Sequence, residues 1–460
     1  MTKSTTKTEK KSKQSTMLVD VINPHAAGID VGSRFHMVAV GQTEESVVKF
    51  GVTTRDLHAL CEHLKSHGVT SVALESTAYY WIPLFWMLQS YDLECIVINP
   101  SDIKSFNRPK TDVKDSRWLH KMHSLGLLKA SFQLDNFSES LRTYGRRRRI
   151  IIKERTRQIN RMYKVLTLMN VQIGTQLTHL DGASGTAVIE AIVNGQTDPK
   201  ILLELIHKSV KTTREELLKG LEGTWQPQYI FELKQLWASY QLLGTQLEDC
   251  DQAIEQELTT LLSHQGIEPP DPEVKPSKTE RKIENTKNAP PLTVVRSIQT
   301  LTGIDMLAIN GVGGICVLDI ACELGFTLEQ FPSEKHFTSW LGLAPNRKIS
   351  GGKVLSSKTP KKQNHAAAAF RQAANSIGNC KEHPLKPFFC GVLKRQGRKG
   401  AITATARKLA VIYYTMLKTK QPFDYKPHVD QQKHRERALK KIQKSINELN
   451  ITANELKIAA

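Results

Sequence analysis

The chain has 460 residues, 40% of them hydrophobic, with 64 Lys and Arg against 45 Asp and Glu for a formal net charge of +19. That length exceeds what one hydrophobic core serves, so two or three domains are expected. No apolar run reaches the roughly 18 residues of a membrane span, the Lys-, Ser- and Thr-rich start does not read as a secretory signal, and seven cysteines without Cys-x-x-Cys or zinc spacing point to a reduced cytoplasmic setting.

The positive charge is concentrated. Residues 342–420 hold 17 Lys and Arg against one acid, Glu382, and residues 141–164 hold ten against Glu154 alone. Such blocks argue for a polyanionic partner, the plainer alternative being a solvated basic face.

In chain order, residues 1–20 read as a basic disordered tail. Strands are expected at 26–30, 35–40 and 46–52, then a helix near 54–67 with Thr53 or Thr54 as cap and Gly68 as stop. The first strand ends at Asp30 before Gly32-Ser33, delivering a carboxylate to a sheet edge, although an Asp before Gly is also common turn chemistry. Ser71 to Glu75 repeats the pattern with a second carboxylate. An aromatic helix near 77–89 and a strand at 95–98 follow, closed by Asn99-Pro100. The order β-β-β-α-β-α-β-α describes an antiparallel hairpin sheet continued by α/β units. Thr111 announces the next helix, with Asp112 and Asp115 on one face of its first turn, roughly 5–6 Å apart at Cβ. Acids at that position also suit the helix dipole, so spacing alone admits a structural role.

Beyond Leu141 the pattern changes to long helices. Ile152, Ile159, Met162, Leu166 and Met169 form an apolar stripe, and Leu233, Leu236, Tyr240, Leu243, Leu247, Cys250 and Ile254 step by threes and fours as in a coiled-coil seam. An antiparallel helical arm is the simplest structure, used either for dimerisation or for packing within the chain. Pro-, Lys- and Glu-rich residues 266–291 read as a flexible linker. The Gly-rich approach to an apolar helix at 315–324 suits either phosphate binding by backbone amides or close packing. Ser350 follows Asn346-Arg347-Lys348-Ile349 and precedes Gly351-Gly352-Lys353. A serine among cations is a candidate nucleophile, while by local chemistry an ordinary turn serine is the plainer reading. The tail from Asp424 is charged, with one helical stretch near 431–449.

Asp30, Glu75, Asp112 and Asp115 make chemical sense together. Two carboxylates about 4 Å apart repel by roughly 4 kcal/mol at an effective dielectric near 20, so a pocket of four requires cations. Carboxylate-only ligation suits Mg²⁺ or Mn²⁺, and such ions can clamp the attacking and leaving oxygens of a phosphodiester. With basic blocks this large, the substrate class is DNA or RNA.

Gly28-Ile29-Asp30-Val31, Leu74-Glu75-Ser76-Thr77 and Lys110-Thr111-Asp112-Val113-Lys114-Asp115 resemble the acidic tetrad of the DEDD transposases of bacterial insertion sequences, the insertion-sequence one-ten family. Ile309-Asn310-Gly311-Val312-Gly313, Leu341-Gly342-Leu343-Ala344-Pro345 and Ser350-Gly351-Gly352 resemble that family's second domain, and Asp181-Gly182-Ala183-Ser184-Gly185 its helical insert. The resemblance implies an RNase H-like (RuvC-like) α/β domain at 21–145, a helical coiled-coil insert at 146–262 and a mainly α transposase domain at 293–420, while composition places a linker at 263–292 and a charged tail at 421–460.

It further implies a transposase or recombinase acting on donor and target DNA. A Mg²⁺-bound tetrad would work with Ser350, brought from the other domain and from another subunit, as nucleophile. A structured guide RNA from the element and a homo-oligomer, dimer or tetramer, are implied as partners, with no membrane and a location at the nucleoid. Candidate nucleic-acid contacts are Arg146, Arg147, Arg148, Arg149, Arg347, Lys348, Lys353, Lys358, Lys361 and Lys362. Rival readings are a RuvC-like hydrolytic junction nuclease, a non-catalytic nucleic-acid-binding protein and an actin-like sugar kinase. The kinase reading lacks a later Gly-rich adenosine motif.

Overall fold

The computed structural model describes residues 20–99, 111–133, 136–309, 311–360 and 362–422, with isolated positions between 439 and 448. The tail expected at 1–20 (but for Asp20), Lys361 and, but for those positions, the helix expected near 431–449 lie outside the described residues. The chain divides into two compact units, 1–133 and 134–460.

The first unit contains β1 (Ala26–Val31), β2 (His36–Ala39), β3 (Val47–Phe50), α1 (Thr54–Ser66), β4 (Ser71–Glu75), α2 (Trp81–Ser90), β5 (Glu94–Ile98) and α3 (Asp112–Ser124). The sheet order is β3-β2-β1-β4-β5. β1 pairs antiparallel with β2 and parallel with β4, β2 pairs antiparallel with β3, and β4 pairs parallel with β5. This mixed α/β sheet is compatible with the RNase H-like expectation. Thr53 is the cap of α1: its Oγ1 accepts from the Asp56 amide while Asp56 accepts from the Thr53 amide, a capping box.

Side chains alternate across each strand. Ala27, Ile29 and Val31, with Val72 and Leu74, pack into one core with Leu57, Leu60 and Leu64 of α1 and Leu84, Phe85 and Leu88 of α2. Ala73 and Ile98 lie on the opposite face, against Leu119 of α3. The sheet is therefore covered on both sides, as parallel strands require.

The second unit opens with α4 (Asn136–Leu168) and continues through α5 (Ile173–Gln176), α6 (Ala183–Val193), α7 (Pro199–Glu204), α8 (Arg214–Leu221) and α9 (Pro227–His264). α4 and α9 run antiparallel: Phe137 meets His264 edge to face, Arg148 pairs with Asp251, and Arg155 lies over the Tyr240 ring at 4.5 Å. Of the expected seam, Leu233, Tyr240, Leu243, Leu247 and Ile254 are buried, while Leu236 and Cys250 are half-buried. The stripe thus packs within the chain, and α6 to α8 close one end of the pair over Val188, Ile192, Leu202 and Leu217.

Two expected boundaries shift. α4 runs unbroken through Gly145, so a domain border at 145–146 falls inside a helix and the units divide at 133/134. A Cβ at position 145 would lie 2.4 Å from the Cys322 sulfur, so this glycine marks close packing rather than a helix end. The stretch expected to be a flexible linker carries α10 (Lys278–Glu284), started by a Ser277/Glu280 capping box and docked by buried Ile283. Composition suggested a linker because large apolar residues are scarce, but one anchored isoleucine, the Lys287–Asp181 ion pair and a second, more buried ion pair hold it.

That ion pair is Glu280 with Arg296, 2.9 Å apart and largely buried. The Arg296 guanidinium is the main cause that brings the Glu280 carboxyl down to about 2 from its ordinary 4.5. A depressed carboxylate stabilises fully above its unfolded value, so this contribution is present above pH 4.5 and lost as pH falls toward 2. Arg296→Met is expected to cost about 1–2 kcal/mol at pH 7 and to flatten the stability curve in that acid window. Urea unfolding at pH 7 and pH 3 checks this, and equal midpoints for variant and wild type at pH 7 would refute it.

After α10 come α11 (Leu292–Thr302), a 3₁₀ turn (Met306–Ala308), α12 (Gly314–Leu324), α13 (Glu334–Trp340), the hairpin β6 (Lys348–Ser350) and β7 (Lys353–Ser356), α14 (His365–Asn379) and α15 (Lys386–Thr419). Two of the glycines at the start of α12 are closely packed, since Cβ atoms at 311 and 314 would lie 2.8 Å from Ile377 and Ile283 carbons, whereas Gly313 has open space around it. All seven cysteines are free. Among the described residues no helix is long and apolar enough to cross a membrane.

Candidate functional site

The register of the first unit brings the four acids to one end of one face. Ile29 pairs with Leu74 across the parallel strands, so the next residues, Asp30 and Glu75, stand side by side. Both fall on the face opposite the α1/α2 core, because their neighbours Ile29, Val31 and Leu74 point into that core. That opposite face is the one α3 covers.

The path of α3 follows from its contacts at two points. Its C-terminal end lies at the start of β1 and β4: the Ser124 carbonyl accepts from the Ile22 and Asn23 amides at 2.9 Å, Asn23 donates to the His123 carbonyl at 2.8 Å, and His123 Nε2 meets Ser71 Oγ at 2.8 Å. Midway, α3 presses on Gly28, where a Cβ would lie 2.1 Å from the His120 nitrogen and 2.4 Å from the Ser116 carbonyl oxygen. The helix therefore runs antiparallel to β1. Moving two residues along a strand covers about 6.6 Å, which is roughly four helical residues at 1.5 Å each. The turn holding Asp112 and Asp115 thus stands over Asp30.

Thr111 Oγ1 caps that turn by accepting from the Lys114 amide at 3.3 Å. Asp30, Glu75 and Asp115 are half-buried and Asp112 is exposed. Among the described residues no group of three or more His, Cys, Asp or Glu is set to hold a metal ion, so the acids share a face and an end without closing into a cage. Deeper under α3, burial lowers the pKa of His120 and His123 below 6.5, with His120 adding to the effect on His123. His120 Nδ1 also meets the Gln42 amide, a contact that spacing did not suggest.

In the second unit Ser350 ends β6 and pairs with Lys353 across a two-residue Gly351-Gly352 turn. Both glycines have positive φ, 53° and 74°, as a type I′ hairpin demands. Ser350 is exposed, as are Arg347, Lys348, Lys353 and Lys358, and the hairpin also exposes Ile349, Val354 and Leu355.

Two family models match the chain in order: a DEDD transposase of the IS110 type over residues 27–171, and the transposase IS116/IS110/IS902 family over residues 306–388. The chain belongs to the IS110 family of DEDD transposases. It is thus an enzyme that cuts and rejoins DNA, and DNA is its substrate. No curated protein matches the transposase.

The arginine run of the transposase is engaged inside the second unit. Arg146 donates to both Glu323 oxygens at 2.9 and 2.8 Å, Arg148 to Asp251 at 2.5 and 3.2 Å and to the Asn288 carbonyl, and Arg149 pairs with Asp319 at 2.8 Å. Arg147 donates to Gln246. These guanidiniums hold α4 against α9 and α12, a role different from the backbone contacts expected of them. Lys362 is exposed, with its side chain beside Gly342.

Cations that sequence reading missed are Lys335, Lys399, Arg407 and Lys408, which with Arg347 and Lys358 line one groove. A legible signal existed. Lys399, Thr403, Arg407, Val411 and Thr415 recur every four residues on α15, the spacing of one helix face.

Proposed function

We propose that the transposase performs serine-linked strand exchange: an RNase H-like domain presents Asp30, Glu75, Asp112 and Asp115, and Ser350 is the nucleophile. What supports this reading most is that all four acids belong to one end of one sheet face, beneath a single helix turn. A divalent cation fits them by donor chemistry, since every ligand would be a carboxylate oxygen, the preference of Mg²⁺ and Mn²⁺. Bound there, it would supply Lewis-acid stabilisation of charge on a phosphate.

Ser350 Oγ attacks phosphorus. A P–O bond to serine forms as the P–O bond to a DNA sugar oxygen breaks, and the serine proton passes through solvent to that oxygen, which departs as a hydroxyl. A second DNA hydroxyl then attacks the phosphoserine, restoring the diester and freeing the serine, so no hydrolysis is needed. The exposure of Ser350 on a tight hairpin among Arg347, Lys348 and Lys353 supports access by a polyanion. The basic blocks support a guide RNA transcribed from the element, and exposed Ile349, Val354 and Leu355 support a homo-oligomer that covers them.

The test is a Mg²⁺-dependent assay on element-junction and target DNA, with RNA transcribed from the flanking sequence. Covalent protein–DNA adducts are trapped in denaturing gels. Wild type is expected to give an adduct, and both Asp30→Ala and Ser350→Ala to give none. Hydrolytic cleavage that persists in Ser350→Ala but vanishes in Asp30→Ala would instead identify a junction nuclease.

A further inference from the structure

The second unit contains a groove of about 1410 Å³ between α13, the base of the Ser350 hairpin and the two halves of α15, which meet at a kink at Gly397. Its walls carry Lys335, Arg347, Lys358, Lys399, Arg407 and Lys408 against a single acid, Glu334. Among the described residues no carboxylate pairs with any of the six, whereas Arg146, Arg148 and Arg149 of the same unit each have one. Five of the six are exposed and Arg407 is half-buried. Like charges held together without counter-charges destabilise a surface unless an anion joins them.

The floor has a different character. Leu343, Phe388, Val411, Ile412 and Met416 line it, and the Lys408 ammonium sits 4.3 Å above the Phe388 ring. A cationic rim over an apolar and aromatic floor is the composition that tracks an unpaired strand, with phosphates on the rim and bases against the floor. Size points the same way. The volume exceeds the roughly 300–1,000 Å³ of small-molecule clefts, yet a cube of that volume is about 11 Å on edge, no wider than the roughly 12 Å major groove alone of a duplex.

The groove is continuous with the serine. Arg347 directly precedes β6 and Lys358 follows β7, and the Asn346 amide donates to the Lys358 carbonyl at 3.1 Å, closing the hairpin base. From Arg347 to Ser350 is three strand residues, roughly 10 Å.

We propose that this groove seats a single DNA strand, holding the unpaired segment next to the phosphate that Ser350 attacks. The inference rests on the reading of Ser350 as the nucleophile, but its binding half is measured without catalysis. Lys399, Arg407 and Lys408 contact phosphates, and Phe388 supports a base.

The full-length protein is titrated with labelled 20-nucleotide single-stranded DNA, the corresponding duplex, and RNA of the same sequence, across 50–300 mM KCl. Replacing Lys399, Arg407 and Lys408 together by Ala is expected to lower the slope of log K against log salt by about 2 for single-stranded DNA, near 0.7 per lost phosphate contact. The duplex slope should change less. Thr403→Trp, which fills the groove without altering charge, is expected to weaken single-stranded DNA selectively. Thermal melts of both variants verify folding.

Unchanged single-strand binding in both folded variants overturns the proposal, as does a loss confined to RNA or to duplex. Ser350→Ala separates the two readings. If it abolishes the adduct while the triple variant leaves single-strand binding intact, only the groove assignment fails. If the triple variant loses single-strand binding but Ser350→Ala still forms the adduct, the seat stands and the nucleophile is elsewhere.

Discussion

Gly28→Ala is expected to destabilise the first unit by at least about 3 kcal/mol, above the ordinary 1–3 kcal/mol of core overpacking. The added methyl would sit 2.1 Å from the His120 nitrogen, 2.4 Å from the Ser116 carbonyl oxygen and 2.8 Å from the His120 Cα. All three are backbone atoms of α3, so no side-chain rotation relieves the clash. The helix must lift from β1, taking with it the turn of Asp112 and Asp115 and the His120 contact to Gln42. Loss of DNA strand transfer should therefore accompany the loss of stability. Thermal unfolding and the adduct assay on the same preparation check both, and a Gly28→Ala protein that melts with wild type would refute the close approach.

A loss of about 3–5 kcal/mol is expected for Glu323→Ala, the range for breaking one side of a buried ion pair. Glu323 is 5% exposed, accepts two hydrogen bonds from Arg146, and has Arg142 Nε at 3.6 Å. Removing its carboxylate leaves the largely buried Arg142 head with Glu139 alone as carboxylate partner and loosens α12 from α4. Burial pushes the Glu323 carboxyl up, but the hydrogen bonds from Arg146 and the charges of Arg146 and Arg142 outweigh it and bring it below its ordinary 4.5. A lowered carboxylate contributes its stability above pH 4.5 and loses it as pH falls below that value. Glu323→Ala should thus lie well below wild type at pH 7, and the gap should narrow on acidification. Denaturant unfolding at pH 7 and at a pH below 4.5 measures this, and a gap independent of pH would mean that lost packing, not the ion pair, sets the cost.

Local signals carried far in this chain. Strand alternation around Ile29 and Leu74, the Thr53 and Thr111 caps and the Gly351-Gly352 turn each depend on residues within a few positions, and the structure bears out the elements they mark. The stretch at 278–284 was missed for the same reason in reverse: its capping box was legible, but its docking depends on Arg296 and Ile283, which composition averages away.

The order of residues was enough to identify the family, the acids at the strand ends and the positions where helices begin, because those are properties of neighbours in sequence. It could not distinguish one basic block from another. Arg146 and Arg148 look as available to a phosphate as Arg407 and Lys408, yet the first two meet carboxylates 177 and 103 residues away, while no described carboxylate reaches the last two. Whether a cation is neutralised within the fold or left facing a groove depends on long-range packing, since a Coulomb partner is set by distance in space. The same holds for the acids: their spacing named them, but only the antiparallel path of α3 over Gly28 brings the turn of Asp112 and Asp115 above Asp30.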